Sequence, residues 1–158
     1  MLNKMIVSPA LAASLVAVPA RADEVRSDDP ASLARVLQDM GYRAEVTRDS
    51  SGDPMIKSTT SGTDFAILFY GCKSNRNCTS VQFFAGFKDP DNGSLAAMNK
   101  WNADNRFGRA YQADSGSARI EYDLDLDVGG RSAALFRDNP EVFSSLVDRY
   151  RKSVYNLK

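Results

Sequence analysis

The sequence predicts an α+β domain: a mostly antiparallel sheet with helices at the N-terminus, in the middle and at the C-terminus. Two observations carry this. Runs rich in β-branched and aromatic residues come in pairs joined by short polar turns, and three stretches of helical period are each opened by a capping residue or a proline. At 158 residues the chain suits one domain, and no repeat, linker or low-complexity segment interrupts it. The 20 basic and 20 acidic side chains balance, so no global field points to nucleic acid or to an anionic membrane surface.

The first 22 residues read as a signal peptide. Lys4 precedes an apolar run from Met5 to Val18, and Ala20-Arg21-Ala22 fits an A-x-A cleavage pattern that leaves Asp23 as the new N-terminus and 23–158 as one domain. The alternative is an uncleaved amphipathic helix. The run is shorter than the roughly 18 residues a membrane span needs, and no later segment is apolar enough to insert. Export predicts a periplasmic or secreted protein.

Asp29-Pro30 reads as an N-cap with proline at the first helical position, followed by Leu33, Val36, Leu37 and Met40 at helical spacing until Gly41. Tyr42 to Thr47 and Met55 to Thr60 are strand candidates around the turn residues Asp49 to Pro54. Beyond the loop Asp89 to Gly93, Ser94 can cap a helix carrying Leu95, Met98 and Trp101 on one side. Phe107 to Ala113 and Ala118 to Val128 form a hairpin around Asp114-Ser-Gly-Ser117, and Gly129-Gly130 breaks the chain. Asn139-Pro140 is expected to start the longest helix, with Phe143, Leu146, Val147, Tyr150, Val154 and Leu157 on its stripe.

The only cysteines, Cys72 and Cys78, sit in the stretch FYGCKSNRNCTSVQFF. Their C-x5-C spacing is not that of a thiol oxidoreductase, and the chain has no histidine to complete a zinc site or activate a thiolate. In an oxidising compartment the pair reads as a disulfide across a hairpin. Facing cysteines set a register in which Phe69 opposes Val81, Ile67 opposes Phe83 and Phe65 opposes Ala85, a consistent apolar stripe. The opposite face mixes Ala66, Leu68 and Tyr70 with Ser80, Gln82 and Phe84. Such a face is covered by another element, by a second copy of the chain or by a ligand, and the residues leave that choice open.

The alternating run Glu121-Tyr-Asp-Leu-Asp-Leu-Asp127 places Glu121, Asp123, Asp125 and Asp127 on one strand face. An EF-hand loop starting at Asp123 fails, because Val128 and Ala134 stand where glycine and glutamate are needed. A solvated face partnered by Arg106, Arg109 or Arg119 is one reading, and a divalent-ion or small-ligand sensor is the other. Asn99 to Tyr111 concentrates amides, arginines and aromatics, and there Trp101 reads as a core anchor, with partner recognition as the second reading. Without histidine, Ser-His-Asp and Cys-His chemistry is excluded, and no P-loop, G-x-S-x-G or cofactor motif is present.

Gly52-Asp-Pro-Met-Ile56, Phe65 to Cys72 with Val81 to Phe87, Asn99 to Asn102 with Arg106 to Tyr111, and Glu121 to Asp127 occur in an order that resembles the YbjN family of bacterial sensory transduction regulators. The resemblance spans about Asp28 to Tyr155. It implies a fold similar to type III secretion chaperones, with no catalytic residues to carry over. Many members of the family lack an export signal, and this chain departs from them. The expectation is a non-enzymatic module, without cofactor or metal, that binds a protein or peptide partner or a second copy of itself. The candidate contact residues are Tyr70, Phe84, Trp101, Arg106 and Arg109.

Overall fold

The computed structural model of the protein describes residues 24–88 and 94–154. The expected signal segment, the loop Asp89 to Gly93 and Leu157 lie outside the described residues. Along the chain run β1 (Glu24–Val25), α1 (Pro30–Asp39), β2 (Glu45–Arg48), β3 (Pro54–Thr60), β4 (Thr63–Tyr70), β5 (Ser80–Phe87), α2 (Leu95–Asp104), β6 (Arg109–Gln112), β7 (Ala118–Asp125), β8 (Arg131–Ser132) and α3 (Ala133–Val154). Six strands form an antiparallel sheet in the order β2-β3-β4-β5-β7-β6. The α+β class and the order of the main elements are those the sequence predicts. A separate two-stranded pairing of β1 with β8 is not foreseen, since two-residue strands carry no period to read.

The β4–β5 hairpin has the predicted register, with Ile67 opposite Phe83 and Phe69 opposite Val81. A disulfide joins Cys72 to Cys78, whose Cα atoms are 3.8 Å apart. Ser74 (φ 53°) and Asn75 (φ 57°) form the tip between Lys73 and Arg76, which exchange backbone hydrogen bonds of 2.7 and 3.2 Å. Two consecutive left-handed residues are the requirement of the hairpin turn that matches strand twist. The tip is tied down: Asn75 Nδ2 donates to Ser51 O at 3.0 Å and to Asp53 Oδ1 at 2.9 Å, and Ser27 Oγ donates to the Cys78 carbonyl.

Parity along the strands decides which face the core takes. Ile56, Ile67, Phe69, Val81, Phe83, Ile120 and Leu124 all point to the side where the three helices lie, and all are buried. Phe143 of α3 packs 5.4 Å from both Phe65 and Phe83, and Tyr150 lies 5.5 Å from Trp101 of α2. Leu33, Val36 and Leu37 turn α1 toward α3 and β3. Gly108 permits the approach of β6 to this layer, because a Cβ there would stand 2.9 Å from Leu146 Cδ1 and 3.3 Å from the Trp101 ring.

Several local expectations are corrected. α3 begins at Ala133, not at Asn139-Pro140, and carries Pro140 in its interior. Ser132 Oγ accepts from Leu135 N at 3.2 Å, and Phe136 is fully buried with its ring 6.3 Å from Phe83. Burying a phenylalanine is worth about 1.5–3 kcal/mol, of the order of the roughly 3 kcal/mol that an interior proline costs. Leu95 and Val128 are exposed, because α2 turns only Met98 and Trp101 inward and β7 ends at Asp125. Asp29 occupies the N-cap position of α1, but its carboxylate reaches Arg35 at 3.4 Å, and Ser32 Oγ bonds the Asp29 carbonyl at 2.6 Å instead.

The disulfide closes a short loop, so its contribution is that of restricting the unfolded chain. Replacing both Cys72 and Cys78 by serine should lower unfolding stability by about 2 kcal/mol while the native fold persists. Urea unfolding followed by circular dichroism checks this, with an unchanged midpoint as the contrary result.

Candidate functional site on the open sheet face

The residues of opposite parity face away from all three helices. Met55 and Lys57 of β3, Ala66, Leu68 and Tyr70 of β4, Gln82 and Phe84 of β5, Arg119, Glu121 and Asp123 of β7 and Arg109 and Tyr111 of β6 share this open side. Cross-strand pairing sets them in rows: Lys57, Ala66, Phe84, Glu121 and Arg109 follow one another across five strands. Two shallow depressions of about 480 Å³ each lie here, one floored by Met55, Ala66, Phe84 and Gly86, the other walled by Tyr70, Gln82, Arg109 and Asp123.

A continuous polar network fills the β7 half of the face. Arg109 bonds Glu121 Oε2 through Nε at 2.9 Å and through Nη2 at 2.7 Å, while its Nη1 reaches Asp123 Oδ2. Tyr111 Oη donates to Glu121 Oε1 at 2.7 Å and accepts from Arg119 Nη1 at 3.4 Å. Gln82 Nε2 donates to Asp123 Oδ1 at 2.7 Å, and the Tyr70 hydroxyl donates to Gln82 Oε1 at 3.4 Å. Arg119 also lies over two rings, 5.6 Å from the centroid of Phe84 and 5.9 Å from that of Tyr111. Glu121 is 4% exposed although no helix covers it, because its neighbours on the sheet do.

Electrostatics act on Tyr70, Arg109 and Arg119 in this network. Loss of water, then the Glu121 and Asp123 carboxylates, hold the Tyr70 phenol above the ordinary range, so it remains a donor. Burial pulls the Arg109 guanidinium down, but the hydrogen bond to Glu121 and the charges of Asp123 and Glu121 outweigh it and the net shift is upward. The hydrogen bond to Tyr111 is the main cause raising Arg119.

The structure therefore brings Tyr70, Phe84 and Arg109 together on one face. It separates them from the other two candidates. Trp101 is buried against Tyr150, with Nε1 lacking a hydrogen-bond partner among the described residues. Arg106 sits 5.0 Å over the ring of Phe107, outside the network. Phe107 itself is 64% exposed with φ of 74°, so the strand expected from it begins only at Arg109. Glu121 and Asp123 are held by Arg109, and Asp125 Oδ1 accepts from Asp127 N at 3.0 Å. Among the described residues no three His, Cys, Asp or Glu side chains form a group that could hold a metal ion, and no helix is long and apolar enough to cross a membrane.

Gln82, Tyr111 and Arg119 were not among the candidate contacts. The β6–β7 hairpin sets Arg109 opposite Glu121 and Tyr111 opposite Arg119 because Ala113 N bonds Ser117 O at 2.9 Å and leaves a three-residue turn, one residue shorter than Asp114 to Ser117, which would have put Tyr122 opposite Arg109. Gln82 depends on β5 pairing with β7, a partnership of strands distant in sequence.

The pattern of the YbjN family, described as "Putative bacterial sensory transduction regulator", matches residues 29–155. The chain belongs to the YbjN family. A crystal structure of YbjN, "a putative transcription regulator from E. coli", superposes with a TM-score of 0.54 at 14% identity, covering 81% of this chain and 94% of that one. At that identity the likeness shows the fold, and the YbjN fold here is the one-sided arrangement just described. No curated protein matches the chain.

Removing Arg109 leaves the Glu121 carboxylate with the Tyr111 hydroxyl as its one remaining side-chain donor among the described residues. Arg109→Gln should destabilise by about 1–2 kcal/mol, whereas Arg35→Gln, which breaks an exposed pair, should stay within about 0.5 kcal/mol. Paired chemical-denaturation curves measure the difference, and equal effects would show the network to be no more than a surface ion pair.

Proposed function

We propose that the protein is a non-enzymatic binding and regulatory module, exported from the cytoplasm, that holds a partner polypeptide across the open face of its sheet. The observation that carries this reading is the one-sided fold: three helices cover one face, and the other presents Met55, Ala66, Leu68, Phe84 and Tyr70 beside a fixed polar network. Tyr70 is 47% exposed, an amphipathic ring of the kind that anchors interfaces. The family description supports a regulatory task, and the signal pattern with the Cys72–Cys78 disulfide supports export. The absence of histidine and of nucleophile motifs supports binding over catalysis. The divalent-ion alternative finds less support, because the Glu121 and Asp123 carboxylates already serve Arg109.

Intact and native mass spectrometry on protein from the periplasmic fraction tests the reading. The expected chain starts at Asp23, is oxidised at its cysteines, and carries a partner or a second copy. Tyr70→Ser or Phe84→Ser should remove that species while the melting temperature stays within the few degrees of an ordinary surface change. An unaltered complex in both variants, or a reduced full-length chain in the cytoplasm, would contradict it.

A further inference from the structure

Arg119 is a cation of the open face that makes no direct ion pair among the described residues. It is half-buried and clamped against the rings of Phe84 and Tyr111, yet no carboxylate lies within ion-pair distance among the described residues. The Tyr111 hydroxyl donates to Glu121 Oε1 at 2.7 Å and accepts from Arg119 Nη1 at 3.4 Å, a hydrogen bond rather than an ion pair. One N–H of the guanidinium is thereby used, and the fork is held in place with its remaining donors available. Lys57, on the other side of the Ala66 and Phe84 floor, makes no ion pair among the described residues, and Glu45 opposite it pairs with Arg43 at 3.1 Å.

Spacing turns the two cations into a rule about the occupant. Lys57 on β3 and Arg119 on β7 are three strand intervals apart across the sheet and two residues apart along it, about 16 Å between backbones at the usual spacings, a span that the long Lys57 side chain shortens. Between them the surface drops, because Ala66 is small and Gly86 has no side chain; a Cβ on Gly86 would meet the Phe84 ring at 3.3 Å. In an extended segment, residues i, i+2 and i+4 point the same way and i to i+4 spans about 13–14 Å. Asp64, which lies on this face beside the depression, disfavours a further negative charge at its centre.

We infer that the open face takes an extended partner segment of the pattern acidic-x-aliphatic-x-acidic, its carboxylates on Lys57 and Arg119 and its aliphatic side chain on the Met55, Ala66, Phe84 and Gly86 floor. This rests on the proposed role of the open face as a docking surface and adds the chemistry of the occupant. Arg119 is the specificity-determining residue, because its aromatic clamps fix it before the partner arrives, whereas Lys57 is an exposed point charge.

The test uses the oxidised mature protein and a fluorescein-labelled peptide, Ser-Glu-Thr-Leu-Thr-Glu-Ser, with a control in which both glutamates are glutamine. Anisotropy should show saturable binding that falls about tenfold for the control peptide and about tenfold for Arg119→Gln, with Arg119→Lys in between. Amide shifts in a nitrogen-15 correlation spectrum should centre on Ala66, Phe84 and Gly86. Equal affinity for the two peptides, with shifts on the open face, would overturn the charge pattern and leave the docking face standing. No saturable binding, or shifts confined to the helix side, would also overturn the inference, and the native-mass comparison of the Tyr70 and Phe84 variants then decides separately whether the face docks anything.

Discussion

The packing of α3 on one side of the sheet is the constraint from which the rest of the structure follows. Phe136, Phe143, Leu146, Val147 and Tyr150 are all buried, and the ring of Phe143 packs against both Phe65 and Phe83, which stack on each other at 6.3 Å. α1 and α2 both pack against this helix, so they too lie on its side. A sheet with an apolar stripe on one face needs one layer to cover it, and here one layer is what it has. The tie of Arg151 Nη1 to the Ser61 carbonyl holds the far end of α3 to the β3–β4 turn.

The open face is organised by a different kind of interaction. Arg109, Glu121, Asp123, Gln82, Tyr70, Tyr111 and Arg119 form a chain of hydrogen bonds across neighbouring strands in which both acidic acceptors, Glu121 and Asp123, are bonded at each oxygen. Such a network is expensive to leave half-made and rigid when complete. It explains how Glu121 is buried without a covering helix, and why Asp123 is an anchor for Arg109 rather than a free ligand. Rigidity of this sort suits a docking surface, since side chains already held in place lose little freedom when a partner arrives.

What was legible in the sequence divides along the same line. The β4–β5 register was readable because the cysteines and the apolar residues share one frame, and a slip by one residue would have turned Phe69 and Phe83 outward. The stripe of α3 was readable from Phe143 onward, while Pro140 hid the two turns before it, where Ser132 caps Leu135 N and Phe136 is buried. The open site was half legible. Tyr70, Phe84 and Arg109 stood out by residue type, but nothing local announces that β5 pairs with β7, and without that pairing Gln82 and Asp123 cannot be joined. Trp101, read first as a core anchor on the stripe of α2 and second as a contact residue, is drawn into the core by helix packing.

The central claim, that the uncovered face is a working surface, is tested most directly by site-specific photo-crosslinking in the living cell. A photoreactive residue at Leu68, on the open face, is compared with one at Leu135, exposed on α3. The account predicts a discrete crosslinked adduct from position 68 and none from position 135. Adducts from position 135 alone, or none of either kind, would contradict it.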